Sequence, residues 1–133
     1  MSLLHTAVTG CDAGKALGVD LPPLVRLDDR AVIGRGRFSS ACYIQDSLPA
    51  LLFLAYKYAD DPEAAIIANT NVGGENCHRG AALGAIMGLA HGKAALPARW
   101  TSGLAAAPEI AAEVAGFSSL LAARAATQQR SPL

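Results

Sequence analysis

The sequence predicts an all-α fold, and two observations lead to that prediction. Apolar residues make up 52% of the 133 residues but aromatic residues only 5%, so the core must be aliphatic and rich in alanine. Such a core favours closely packed helices over a sheet, and apolar residues recur at helical spacing in several segments. We therefore expect a compact orthogonal array of helices, with residues 1–133 forming a single, partial helical domain.

Charge and cysteine usage narrow the class of protein. Eleven basic and eleven acidic residues cancel, and neither sign forms a block, which argues against binding to nucleic acid or to a membrane surface. Cys11, Cys42 and Cys77 lack paired spacing, as expected of reduced thiols. No signal peptide is apparent, and the longest strongly apolar run, residues 80–90, is shorter than the roughly 20 residues of a membrane span. The sequence thus indicates a soluble, cytoplasmic protein.

The first forty residues give weaker signals. A short helix is expected within the first twenty residues, with Ser2 as its cap and Leu4 and Val8 on its apolar face. The pair Pro22-Pro23 predicts an extended stretch. The apolar pattern then fades, and the sequence GRGR at 34–37 predicts a mobile connection.

A clear helical pattern begins after Ala41 and runs through Tyr58. Its apolar stripe consists of Ile44, Leu48, Leu51, Leu52 and Ala55. Pro49 either occupies the first turn, with Asp46 or Ser47 as the cap, or kinks the helix. We favour the first alternative, in which the helix begins near Leu48.

Two later helices have defined start signals. The sequence DPE at 61–63 supplies a capping side chain, a proline at the first helical position and an acid in the first turn, so a helix is expected from there to about Asn69. Pro108-Glu109 begins a last amphipathic helix. The apolar face of that helix consists of Ile110, Val114, Phe117 and Leu121.

Between these helices lies a run of glycines at intervals of four residues. Gly80, Gly84, Gly88 and Gly92 share one side of a helix, although each costs about 1 kcal/mol relative to alanine in a helix interior. This pattern favours close approach of another backbone along the stripe. We expect the helix to be central and buried all round, with His91 capping its end.

A polar loop precedes the glycine-rich helix. The segment 69–80 reads NTNVGGENCHRG and combines two adjacent glycines with polar side chains. Adjacent glycines let a ligand approach the main chain, and the N-terminus of the following helix suits an anion. Asn69 and Asn71 are most simply loop residues that bond their own backbone. The segment predicts a binding site without naming its ligand.

A family resemblance is carried by this segment and its flanks. The sequence NVGGENCH at 71–78, continued by GAIMGLAHG at 84–92, resembles the C-terminal metal-site motif of ADP-ribosylglycohydrolases. In that family the motif reads Asn-x-Gly-Gly-Asp-x-Asp-Ser/Thr, followed by a helix of the type Gly-Ala-x-x-Gly-Ala-x-x-Gly. The flanking sequences DSLPA at 46–50 and LPARW at 96–100 also agree, so the resemblance is strongest over residues 40–104.

The resemblance implies an all-α hydrolase that uses two Mg²⁺ ions to bind ADP-ribose and to activate water. Glu75 stands at the first motif aspartate, Cys77 at the second and His78 at the hydroxyl residue, so these three are the candidate metal ligands. Thiolate and imidazole suit softer metals than Mg²⁺, and Cys77 is alternatively a small buried packing residue. The candidate catalytic residues are Glu75 and His78. The candidate ligand-binding residues are Asn71, Gly73, Gly74, Asn76 and Arg79.

Several functional alternatives remain open. The other metal ligands of the family lie in an N-terminal half that this chain does not carry, and Asp28-Asp29 is a weak candidate for replacing them. The chain is therefore expected to be a Mg²⁺-dependent enzyme that hydrolyses an ADP-ribosyl linkage, or half of such an enzyme. Alternatively, it is a non-catalytic ADP-ribose-binding or structural helical module. The expected partners are an ADP-ribose-type small molecule or an ADP-ribosylated substrate, together with a second copy of the chain or a missing N-terminal half.

Overall fold

The computed structural model describes residues 3–10, 15, 18, 20–34 and 36–128. Over these residues the regular structure is helical, apart from one isolated bridge between Ile33 and Phe38. The all-α prediction is therefore confirmed. None of the described helices is long and apolar enough to cross a membrane. The chain divides into two compact units, Met1–Leu96 and Pro97–Leu133.

The first unit contains six helices among the described residues, and the second contains two. Those of the first unit are α1 (Leu3–Gly10), α2 (Leu21–Leu24), α3 (Asp29–Val32), α4 (Ile44–Lys57), α5 (Pro62–Val72) and α6 (Asn76–His91), followed by a 3₁₀ helix at Lys93–Ala95. Those of the second unit are α7 (Ala98–Ser102) and α8 (Ala107–Gln128).

Helix α4 is the centre of the first unit. Every residue from 50 to 56 is buried, and α1, α5 and α6 each pack against this helix. The other helices contribute Leu4 and Val8 from α1, Ala65 and Ala68 from α5, and Leu83 and Met87 from α6. These contributions are aliphatic, as the composition predicts, but the core also contains an aromatic contact between Phe38 and Phe53 of α4, whose ring centroids lie 6.0 Å apart.

Helix α6, which carries the glycines, is buried along one stripe only. Its buried residues are Arg79, Leu83 and Met87, at intervals of four, whereas Leu89 is 90% exposed. The prediction of a helix buried all round is therefore wrong. Alanine and glycine fill the remaining faces, and such small residues lie in solvent at little cost. At the end of α6, Nε2 of His91 donates to the carbonyl oxygen of Ala59, 2.7 Å away, which ties this end to the segment after α4.

Close packing accounts for only one glycine of the stripe. A Cβ added at Gly80 would lie 2.8 Å from Nδ2 of Asn69, closer than real Cβ atoms approach. At Gly84 it would make an ordinary contact of 3.7 Å with Cδ1 of Ile66. At Gly88 and Gly92 it would meet no described atom within 4 Å. The neighbours at Gly80 and Gly84 are side-chain atoms, so within the described residues the expected close approach of another backbone along the stripe is wrong.

Helix α4 begins earlier than expected. It starts at Ile44, and the amide groups of Asp46 and Ser47 both donate to the carbonyl oxygen of Tyr43, at 2.9 and 2.8 Å. Pro49 therefore lies inside the helix, and the predicted start near Leu48 is wrong. The burial of the residues that follow stabilises the helix despite the missing N–H of the proline.

The N-terminal third differs from its sequence prediction at Pro22-Pro23. Pro22-Pro23 lies in the first turn of α2, where the φ angle of proline suits a helix and its missing N–H is not needed, so the extended prediction is wrong. The predicted mobile connection at 34–37 includes Arg35, which lies outside the described residues, and the prediction stays untested there. The Gly34 amide donates to the carbonyl oxygen of Phe38 at 2.6 Å, and the side chain of Phe38 is buried. Ser2 lies outside the described residues, whereas the predicted helix around Leu4 and Val8 is present as α1.

The two helices with defined start signals form as predicted. Oδ1 of Asp61 accepts a hydrogen bond from the Ala64 amide at 2.9 Å, which caps α5, and this helix continues to Val72 instead of ending near Asn69. In the second unit α8 begins at Ala107, directly before Pro108. Pro62 and Pro108 thus mark helix starts as predicted, unlike Pro49, which lies inside α4.

Candidate functional site

A sharp turn of two glycines joins α5 to α6. Gly73 and Gly74 have φ angles of 73° and 66°, a region that residues with a side chain rarely adopt. A Cβ at Gly74 would also clash with the carbonyl oxygen and side chain of Ser40. Both the backbone conformation and the neighbouring chain therefore require glycine at position 74.

The turn is held on two sides by hydrogen bonds. On one side the Glu75 amide donates to the carbonyl oxygen of Ser40 at 3.0 Å. On the other side Nη2 of Arg79 donates to the carbonyl oxygen of Gly73 at 2.8 Å. The backbone amide of Asn76 also donates to the carbonyl oxygen of Gly74 at 2.9 Å. The start of α6 is therefore fixed relative to the segment before α4.

Beneath the turn lies a buried polar pair, Asn69 and Arg79. Nε of Arg79 donates to Oδ1 of Asn69 at 2.7 Å, and Nη2 also donates to the Asn69 carbonyl oxygen at 3.3 Å. Nδ2 of Asn69 donates to the carbonyl oxygen of Asn76 at 2.9 Å. Burial lowers the pKa of Arg79, whereas the negative charge of Glu75 opposes this shift. Asn69 is thus a buried helical residue and not the loop residue expected from its sequence context.

Half-buried Glu75, directly before α6, and exposed His78, in its first turn, form a pair. Nδ1 of His78 lies 3.0 Å from Oε1 of Glu75. The side chain of His78 is 89% exposed and that of Glu75 is 35% exposed. Because Glu75 engages Nδ1, Nε2 is the imidazole nitrogen that a ligand can approach. Cys77 is exposed, with its Sγ 3.5 Å from Oδ1 of Asn76, so its interpretation as a buried packing residue is wrong.

The structure gathers most of the predicted site residues at one end of α6. The glycine turn and the four residues after it, Glu75, Asn76, Cys77 and His78, are contiguous there. Asn71 lies in the last turn of α5, exposed, and its carbonyl oxygen accepts from Nε of Arg30 at 2.9 Å. Arg79 alone points into the fold, with 1% of its surface exposed.

Two residues that support the turn, Ser40 and Asn69, are not among the predicted site residues. Asn69 follows Ala65 by four residues on the buried side of α5, just as Arg79 precedes Leu83 by four on α6. When each of two successive helices carries a polar residue in its apolar stripe, the pattern therefore indicates that these two polar residues contact each other. Ser40 acts through its backbone oxygen, for which the sequence carries no signal.

Asp28 and Asp29 have structural partners. Asp28 caps α3, since Oδ1 accepts from the amides of Arg30 and Ala31 at 3.0 and 3.2 Å. Asp29 accepts from Nζ of Lys57 at 2.7 Å and from the Tyr58 hydroxyl at 2.6 Å. Burial and the neighbouring Asp29 raise the pKa of Tyr58 well above its ordinary range.

These carboxylates line an open cleft of about 650 Å³ beside α5. The apolar part of its wall consists of Ala64, Ile67, Ala68 and Val72. Asp29 forms a salt bridge with Lys57, and no described contact joins Asp29 to the glycine turn. The two carboxylates of the cleft are thus committed to structural contacts, whereas Asn71, a predicted ligand-binding residue, also lines it.

The donor set at the first turn of α6 does not fit a two-Mg²⁺ centre. Within the described residues, no three side chains of histidine, cysteine, aspartate or glutamate cluster as metal ligands. The motif supplies one carboxylate, from Glu75, beside the imidazole of His78 and the thiol of Cys77. Mg²⁺ takes oxygen ligands in near-octahedral geometry, and two ions need several of them.

The fold and the glycine turn define an all-α protein with a polar site at a helix N-terminus. The sequence model of the family ADP-ribosylglycohydrolase matches residues 4–131, and the chain belongs to that family. Proteins of this family are generally metal-dependent and act on ADP-ribosylated substrates. No curated protein and no solved structure gives a significant match to the chain.

Proposed function

We propose that the chain binds ADP-ribose, or the ADP-ribosyl group of a modified substrate, at the Gly73–Gly74 turn and the first turn of α6. The observation that carries this proposal is the Glu75–His78 pair directly after the turn, within the segment that resembles the family motif. The first turn of a helix presents backbone N–H groups without helical partners, which suit the diphosphate of such a ligand.

Several residues of the site have proposed roles. The glycines let the ligand approach the main chain, and the exposed side-chain amide of Asn71 offers a donor and an acceptor for ribose hydroxyls. The half-buried amide of Asn76 already donates to the carbonyl oxygen of Thr70 at 3.3 Å, so its second N–H and its Oδ1 are what it offers a ligand. Nε2 of His78 is available to a phosphate oxygen or to a proton at the cleaved bond. Glu75 orients that imidazole through Nδ1, at the 3.0 Å separation given above.

The proposed reaction is hydrolysis of an ADP-ribosyl linkage with Mg²⁺ as the cofactor. Glu75 is the residue of the motif whose carboxylate suits Mg²⁺, while Cys77 and His78 suit softer ions. Because this donor set does not make up a two-ion centre, hydrolysis requires oxygen ligands from beyond the first turn of α6. The chain then acts together with a complementary helical half.

A non-catalytic ADP-ribose-binding or structural module is the second candidate. It is favoured by the Cys77 thiol and the His78 imidazole at two motif positions where the family carries oxygen ligands. Such a module would retain the glycine turn and lose the water-activating chemistry.

The two candidates differ in turnover. Release of ADP-ribose from an ADP-ribosylated protein is measured in Mg²⁺ for the wild-type chain, Glu75→Gln and His78→Asn, with Asp60→Asn as a control because Asp60 is an exposed acid outside the site. The enzyme proposal expects turnover that falls at least about tenfold in both site variants and is unchanged in the control. Binding of ADP-ribose with no turnover would favour the module. The absence of both binding and turnover would contradict the proposal.

We further propose that the chain is cytoplasmic and associates with a second copy or with the complementary half. The exposed apolar side chains of Leu89 on α6 and Ile44 at the start of α4 offer contacts for such a partner. Sedimentation velocity across micromolar concentrations tests it. A single monomeric species throughout would contradict association between copies.

A further inference from the structure

We infer that Arg79 is a positioning residue whose buried guanidinium fixes the glycine turn against α5 and thereby holds Glu75 at the ligand-binding surface. The ligand-binding part of this inference rests on the proposed function. The positioning of the turn stands on the geometry alone, so the two parts are tested separately.

The guanidinium joins three backbone segments through a single rigid group. It donates from Nη2 to the carbonyl oxygen of Gly73 at 2.8 Å and from Nε to Oδ1 of Asn69 at 2.7 Å, while its own backbone belongs to α6. The fork of arginine donors is planar, so these bonds fix an orientation as well as a distance. The turn is therefore held from below by a residue one helical turn after Glu75.

Asn69 completes this support from the other helix. Its Nδ2 donates to the carbonyl oxygen of Asn76 at 2.9 Å, so Asn69 holds α6 directly and also through Arg79. The close approach depends on Gly80, where a Cβ would lie 2.8 Å from the same Nδ2. The first glycine of the stripe thus makes room for the Asn69–Arg79 pair.

Burial of the charged Arg79 side chain lowers the stability of the fold. Arg79 is 1% exposed, and among the described residues its Nη1 has no hydrogen-bond partner. A buried cation with an unsatisfied donor is destabilising compared with an apolar residue of similar size. The nearby carboxylate of Glu75 offsets part of this cost. A leucine or methionine here would fill the stripe with Leu83 and Met87 but would leave the Gly73 carbonyl oxygen unheld.

The positioning is tested by amide hydrogen exchange, which needs no ligand. In Arg79→Met the amides of Glu75 and Asn76 should exchange at least about tenfold faster than in the wild type, because the turn loses a charge-assisted hydrogen bond. Arg79→Lys should recover part of the protection, since the ammonium group still donates to an oxygen. Leu83→Val, a buried change one turn further along α6, is the matched control and should leave these two amides no faster than the remaining core amides.

Asn69→Asp is the second variant, for the case that Arg79→Met does not fold. It keeps an acceptor for Nε of Arg79 but replaces the donor that holds the Asn76 oxygen, so faster exchange at Asn76 is expected. Unchanged exchange at Glu75 and Asn76 in every folded variant would overturn the inference.

The consequence for the ligand is measured by titration with ADP-ribose. Arg79→Met is expected to weaken binding at least about tenfold, Arg79→Lys less, and Leu83→Val not at all. If the wild type itself does not bind ADP-ribose, the proposed function fails, while the exchange rates still decide whether Arg79 positions the turn. Wild-type affinity in a folded Arg79→Met variant would overturn the claim that positioning serves the ligand.

Discussion

Glu75 and Arg79 lie one helical turn apart in contrasting environments. The carboxylate of Glu75 reaches the surface and meets His78, whereas the guanidinium of Arg79 lies under the turn against Asn69. One polar segment therefore contains both residues that face a ligand and residues that hold the backbone in place. A polar cluster in the sequence predicts the site but does not separate these two roles, because the separation depends on which face of α6 each residue occupies.

Tyr58 gives a prediction about alkaline stability. Its folded-state pKa is raised above the ordinary value of about 10 by burial and by the carboxylate of Asp29. Above that pH the unfolded chain releases the phenolic proton while the folded chain keeps it, so the free energy of unfolding falls as pH rises. Tyr58→Phe should make this fall shallower above pH about 10. The measurement is urea denaturation at a series of pH values.

The control for Tyr58 is Tyr43→Phe, because the Tyr43 side chain is 66% exposed. The Tyr43 variant should follow the wild-type pH dependence. An equally steep alkaline fall in Tyr58→Phe and in the wild type would contradict the assigned environment of Tyr58.

At the scale of elements, the glycine turn and the glycine stripe differ in what they require. Gly74 has a φ of 66° and no room for a Cβ, whereas Gly88 is helical and a Cβ there meets no described atom within 4 Å. Gly74→Ala should therefore lower the free energy of unfolding by roughly 1–3 kcal/mol, through strain and the contact with Ser40. Gly88→Ala should raise it by up to about 1 kcal/mol, because alanine is the better helix former.

Chemical denaturation of both glycine variants checks this pair of predictions. Circular dichroism confirms that the helical content is retained before the two midpoints are compared. A stabilising Gly74→Ala change would mean that the turn does not pass against Ser40. A clearly destabilising Gly88→Ala change would mean that another backbone packs at that position.

Helix α4 yields a test of where it begins. Pro49 lies beyond the first turn, so it removes a hydrogen bond to the carbonyl oxygen of Gln45. Pro49→Ala should raise the free energy of unfolding by about 1–3 kcal/mol, measured by urea denaturation. Pro62→Ala is the matched control, because Pro62 occupies the first position of α5, where a missing N–H costs nothing. No gain from Pro49→Ala would favour a helix that begins near Leu48.

For the molecule as a whole, the sequence predicts the helical class and those helices with capping or proline signals, such as α5 and α8. It does not predict that α4 forms the centre, because an apolar stripe does not show how many neighbours surround it. The exposure of Leu89 is missed for a related reason, since alanine and glycine next to it read as core although they are equally stable at a surface.

The candidate site is also predicted only in part. The segment 71–79 is identifiable from its glycines, polar residues and family motif, because all of these lie together in sequence. The contributions of Ser40 and Asn69 arise from tertiary contacts across the turn. Such contacts appear only once α4, α5 and α6 are assembled around a common core.

The most direct test of the account is calorimetric titration of ADP-ribose into the purified chain, in Mg²⁺ and again in EDTA, for the wild type and Glu75→Gln. The account predicts saturable binding to the wild type that is tighter in Mg²⁺ and at least about tenfold weaker in the variant. Binding that is unaffected by EDTA would retain the site at the turn but remove Mg²⁺ from the proposal. Absence of binding in both conditions, with the chain folded, would contradict the central claim that the glycine turn is an ADP-ribose site.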